Sequence, residues 1–152
     1  MYQTLISYHN LMRWFVLASL ILAIYRAYRG YVTKAIFSKT DNTIRHWTAT
    51  IAHIQLMIGM TLYFHSPIVK YFMQHFKEAV SRFEMTFFSL IHSTLMLVAI
   101  VLITIGSAKS KRQTTDSEKF RTMLVWFSVS LLIIFIAIPW PFSPFVHRPY
   151  FR

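Results

Sequence analysis

Residues 85–105 read MTFFSLIHSTLMLVAIVLITI, twenty-one positions without one Asp, Glu, Lys or Arg. A bilayer core about 30 Å thick needs roughly 20 apolar residues of helix, so this stretch is long enough to cross it. Working outward, three more segments have the same character. They are residues 5–28, which include FVLASLILAIY, residues 44–64 (IRHWTATIAHIQLMIGMTLYF), and residues 120–138, which end on SLLIIFIAI. The segment 44–64 is the most polar of the four. Composition agrees with this reading: 55% of the 152 residues are hydrophobic and 14% charged, against about 25% charged in a soluble chain. So small a body cannot hide that much apolar surface, which argues against a soluble enzyme. Disorder needs low hydrophobicity and does not fit either. The expectation is an all-α protein, a single membrane domain over residues 1–152 built as a four-transmembrane-helix bundle.

The segment ends carry stop and start signals. Gly30 and Gly106 lie where a left-handed residue can close the first and third helices. Asp41 or Asn42 can cap the second, and Thr115 with Glu118 has capping-box spacing for the fourth. Ser66-Pro67 ends the second helix, and Pro139 and Pro141 end the fourth. The start has no basic region and no small-residue cleavage site, so the first span is expected to stay in the mature protein.

Charge sets the orientation. Loop one holds Arg26, Arg29, Lys34, Lys39 and Arg45, and loop three holds Lys109, Lys111, Arg112, Lys119 and Arg121. Loop two has Lys70, Lys77 and Arg82, and the tail has Arg148 and Arg152. Ten against five puts loops one and three in the cytoplasm and both termini outside. Much of the net charge of +11 is then a topology signal with attraction to anionic lipid, not a nucleic-acid footprint.

Two outer segments are unusual. IVKYFMQHFKEAVSRF, residues 68–83 ending at Phe83, places Ile68, Tyr71 or Phe72, Phe76 and Val80 at helical spacing. That is the pattern of a short amphipathic helix on the outer surface, although an aromatic loop packed on the helix ends accounts for it nearly as well. The tail, residues 139–152 from Pro139 onward, carries four prolines and five aromatic residues. It should be extended and stiff, lying at the membrane interface or docking into a partner. His147 within it reads as solvent-facing or partner-facing.

Polar side chains within the spans are the informative ones. His46, Thr50, His53, Met57 and Met60 or Thr61 recur at steps of three and four along the second span and share a face. Ser89, His92 and Met96 do so in the third, and His9 and Arg13 are one turn apart in the first. Gln55 points about 160° away from His53 and should meet another neighbour, which suggests protein, such as another subunit, on that side. Measured from the outer membrane face, His9 lies roughly 6–8 Å down, His92 about 10 Å and His53 roughly 15–18 Å. Two imidazoles can ligate one haem iron only at similar depth. His9 with His92 meets that condition best, and His53 with His92 would need tilt. Arg13 can snorkel outward or, in a haem site, pair with a propionate. The bland reading is that His53 hydrogen-bonds to Thr50, Ser89 or Ser93 as ordinary bundle glue. His46 beside Trp47 reads as an interfacial anchor.

There is no cysteine, so thiolate metal sites and thiol catalysis are absent, and haem iron would be held by His or Met. The five acidic residues, Asp41, Glu78, Glu84, Asp116 and Glu118, fall in loops or at span ends. No nucleophile–base–acid set converges, and no catalytic residue is assigned.

The opening SYHNLMRWFVL, the run TATIAHIQLMIGMTLYFHSP, SLIHSTLM followed by TIGSAKSKR, and IPWPFSPF near the end resemble small bacterial four-helix cytochrome-b-like membrane proteins. The likeness extends over almost the whole chain. It implies a multi-pass protein of the bacterial inner membrane with at most one haem b, for which His9, His53 and His92 are the matching ligand positions. The implied role is electron transfer between quinol and a redox partner in a respiratory or other membrane complex. The alternative is a cofactor-free accessory subunit that anchors a larger assembly through the tail and segment 68–83.

Overall fold

The computed structural model describes residues 1–146 and 148–150. It is 82% helical, with no strand among the described residues. The long elements are α1 (Tyr2–Val32), α2 (Lys39–His65), α6 (His92–Arg112) and α7 (Asp116–Ala137). Between α2 and α6 lie α3 (Pro67–Gln74), the single turns α4 (Phe76–Ala79) and α5 (Phe83–Thr86), and a π-helical turn, Phe87–Ile91, that runs directly into α6.

Three helical stretches are long and apolar enough to cross a membrane: Tyr2–Val32, Phe83–Arg112 and Asp116–Ala137. With 27 residues, α2 is long enough, but His53, Gln55 and its threonines dilute its hydropathy and it is not among them. The outside is what such helices need in lipid: Ile21, Leu22, Val101, Val129, Leu132 and Ile136 are all exposed.

α1 packs on α2 and α7, and α6 packs tightly on α7 and loosely on α2. The helices therefore form a ring in which α1 and α6 stand diagonally. Small residues let the backbones approach: Ala23 and Ala27 of α1 and Ala52 of α2 are fully buried beside Leu20, Ile103, Met123 and Phe127.

The caps differ in part from expectation. The residue that turns left-handed after α1 is Lys34, at φ 52°, not Gly30. Gly30 sits inside the helix because a Cβ there would lie 2.4 Å from the Phe120 ring. Gly106 likewise lies within α6, where a Cβ would meet Trp126 Cβ at 2.3 Å. Both glycines permit close helix contact and neither ends a helix. For α2 the cap is Ser38, in a reciprocal capping box with Asp41. Thr115 caps α7, accepting from Glu118 N at 3.3 Å. Ser66 caps α3, which begins at Pro67.

Segment 68–83 is not one amphipathic helix. The backbone leaves helical geometry at His75 (φ −126°, ψ 44°), so the apolar face is cut. Val69 and Phe72 are buried, while Phe76 and Val80 stay exposed.

A buried anchor ties α2 to its neighbours. Asp41 is 2% exposed and accepts from Arg26 Nη2 at 2.7 Å and from Ser38 Oγ at 2.7 Å. Burial alone would raise the pKa of its carboxyl, but the hydrogen bonds from Ser38 and then Arg26 outweigh it and hold the pKa below the ordinary carboxylate value. Arg45, also buried, donates to the Ser107 carbonyl at 3.1 Å and to Asn42 Oδ1 at 2.9 Å.

Candidate functional site

Near the end of the bundle that holds the N-terminus, α1, α2 and α6 part around a mostly apolar cavity of about 370 Å³. His9 and Arg13 reach it from α1, Gln55 and Gly59 from α2, and His92 and Met96 from α6. His9 and His92 come from diagonally opposed helices and meet edge to face, with ring centroids 6.4 Å apart and planes at 71°.

Each imidazole is held differently. His92 Nδ1 lies 2.8 Å from the carbonyl of Ala137 at the end of α7. A carbonyl only accepts, so Nδ1 carries the proton and donates, and Nε2 keeps its lone pair. That is the arrangement by which a second partner fixes the tautomer of a ligating histidine. On the other side, Gln55 Nε2 donates to the His9 carbonyl at 2.9 Å and stands 3.4 Å from His9 Nε2. His9 Nδ1 is buried without a partner. Gly59 makes room for this ring, since a Cβ there would approach His9 Cε1 to 3.2 Å.

The π turn sets the direction of His92. One extra residue per turn shifts the angular register of everything after it. The Ser89 carbonyl within the turn accepts from Tyr63 Oη at 3.0 Å and Ser93 Oγ at 3.0 Å, and Ser89 Oγ is buried without a partner.

Arg13 is 9% exposed. Its guanidinium carbon lies 5.2 Å from the Trp14 ring centre and 5.6 Å from that of Trp140, and Nη2 donates to the Tyr150 carbonyl at 2.6 Å. The described part of the tail thus folds back over the bundle end. Trp140 is 7% exposed, Trp140 Nε1 donates to the Phe135 carbonyl at 2.8 Å, and Arg148 pairs with Glu84. Phe142 and Phe145 remain outward. His147 and Arg152, and with them the solvent-facing or partner-facing reading of His147, lie outside the described residues.

The polar stripe of α2 turns away from this cavity. His46, His53, Met57 and Thr61 are exposed on the outer side of the helix. His53 Nε2 pairs with Thr104 Oγ1 at 2.9 Å, not with Thr50, Ser89 or Ser93. The structure therefore brings together His9, His92 and Arg13 and leaves His53 apart. Gln55, for which another subunit was the expected neighbour, instead meets His9 across the α1–α2 contact. No sequence signal pointed to Gly59, Tyr63 or the tail carbonyl of Tyr150 as parts of the site.

Among the described residues, no group of three or more His, Cys, Asp or Glu side chains is placed to hold a metal ion. Two imidazoles form an incomplete set for a free ion, which needs four or more ligands, whereas a metal carried in a macrocycle would need only such a pair from the protein. Apolar walls, a pair of imidazoles and an arginine at the rim fit a haem. No family model, curated protein or solved structure matches the chain.

Proposed function

We propose that the chain is a four-span protein of the bacterial inner membrane, with both termini outside, that holds one haem b and takes part in electron transfer. The observation that carries this reading is the His9–His92 pair, brought edge to face at 6.4 Å from diagonal helices beside a mostly apolar cavity. When bound, the group would supply one-electron redox chemistry. His9 and His92 would be the residues that hold the iron, and the Ala137 carbonyl keeps His92 in the tautomer that leaves Nε2 available. Arg13, which lines the cavity, would pair with a propionate. The fourth span is α2, whose polar outer face is covered by a protein neighbour, not by lipid.

Reduction with dithionite of the protein purified in detergent tests this reading. A sharp α band and Soret band, lost in His9→Ala and in His92→Ala but retained in His53→Ala, is the expected result. A colourless protein, or retention of colour in His92→Ala, sinks it.

A second reading has its own support. The exposed stripe of His46, His53 and Thr61 on α2 and the outward aromatics Phe76, Phe142 and Phe145 suit contact with other integral membrane subunits. In that reading the protein anchors a larger complex, and it is compatible with haem or with none. Quinol is the electron donor proposed under the first reading, and no catalytic residue is assigned under either.

A further inference from the structure

Arg13 holds a buried positive charge that has no carboxylate partner among the described residues. Its one hydrogen bond goes to the neutral carbonyl of Tyr150 at 2.6 Å, and its Nε is buried with no acceptor. An unpaired guanidinium at the edge of an apolar bundle is expensive. Arg148, which also lines the cavity, differs in having a carboxylate partner. It pairs with Glu84, stacks at 5.2 Å over Phe88, and also has a buried Nε without an acceptor. Both arginines line the cavity, together with Pro139 and Pro149 of the tail. The cavity below is apolar, so the space asks for a ligand with an acidic end and a greasy body.

We propose that the mouth of the cavity is a carboxylate-binding site built from both ends of the chain: Arg13 of α1 and Arg148 of the C-terminal strap hold the acid group of a ligand whose apolar body fills the cavity. Because Arg148 and the Tyr150 carbonyl belong to the strap, ligand binding and strap docking stabilise each other. Two sources carry this chemistry, the propionates of a porphyrin and a free fatty acid. In its porphyrin form the inference rests on the haem reading above; in its fatty-acid form it stands without it.

The full chain, purified in detergent without added haem, is titrated with metal-free protoporphyrin IX, its dimethyl ester, oleate and oleyl alcohol. Binding is followed by quenching of Trp14 and Trp140 fluorescence and by protection of the strap from protease. An acid that binds at least about tenfold tighter than its neutral counterpart, protects the strap, and loses that preference in Arg13→Gln is the expected result, with a smaller loss in Arg148→Gln. If protoporphyrin shows the preference, the source is a porphyrin. If oleate alone shows it, the site stands in its fatty-acid form and the porphyrin form falls. Equal binding of acids and neutral counterparts by the unsubstituted chain overturns the proposal, even if Arg13→Gln fails to fold. Iron ligation is scored separately, by the band lost in His92→Ala.

Discussion

The phenol of Tyr63 donates to the carbonyl of Ser89 at 3.0 Å, joining α2 to the π turn that precedes His92. Arg45 with Ser107 and His53 with Thr104 tie α2 to α6 further along, and the Tyr63 bond ties them beside the cavity, next to the turn from which His92 enters it. Tyr63→Phe keeps the ring and removes the donor, while Ser93 Oγ still satisfies the carbonyl. The expected cost is modest, about 0.5–1.5 kcal/mol in unfolding. His92 should also lose its orientation: the variant should bind haem with a broadened α band and faster loss to a scavenger globin. A spectrum and loss rate matching the unsubstituted protein would show that Tyr63 is not a positioning residue.

Gly106 offers a test of packing that is independent of any cofactor. Alanine is the better helix former by about 1 kcal/mol, so propensity alone predicts a gain from Gly106→Ala. Yet the new Cβ would sit 2.3 Å from Trp126 Cβ and 2.8 Å from its Cγ. Those atoms are the root of the side chain and cannot swing aside. Overpacking should win, with a net loss of roughly 1–2 kcal/mol, seen as a lower midpoint of unfolding in denaturing detergent. A stabilised variant would mean that α6 and α7 separate easily.

How much of this was legible in the sequence depends on the residue. The matching depths of His9 and His92 followed from the fixed rise of a helix, and the structure brings those two rings together. Periodicity also placed His46, His53 and Met57 on one face of α2, but it cannot say which way a face points when both sides of a helix are polar. Gln55, on the opposite face, turned out to look inward at His9. The π turn left no trace in composition, because a register shift changes no residue type. Gly30 and Gly106 were read through the conformational freedom of glycine, whereas the fold uses its lack of a side chain. The tail announced its stiffness through its prolines, but its contact with Arg13 spans 137 positions, and no local pattern encodes a contact of that range.

Asp41 makes the fold sensitive to acid. Its pKa is depressed in the folded chain, so the unfolded chain binds the proton more readily. The stabilisation is fully present above the unfolded value of about 3.9 and is lost as pH falls through the folded value. The melting temperature of the native chain should exceed that of Asp41→Asn at neutral pH, and the gap should close on titration below about pH 4. A gap that stays constant to pH 3 would mean that the Arg26–Asp41–Ser38 cluster is not stabilised by charge.

The lack of cysteine makes the membrane topology directly testable. A single cysteine can be placed at Lys39, the first residue of α2, at Lys77 between α2 and α6, or at Lys111 at the end of α6, all of them exposed. With both termini outside and four spans, a membrane-impermeant maleimide added to intact cells should label the cysteine at 77 and spare those at 39 and 111. If α2 lay in the interface instead of crossing, positions 39 and 77 would fall on the same side and be labelled alike. That outcome matters beyond topology. His9 and His92 can meet at one depth whether or not α2 spans, but Gln55 and Gly59 reach His9 at that depth only if α2 runs alongside α1 through the bilayer. Equal labelling at 39 and 77 would therefore remove one wall of the cavity along with the fourth span.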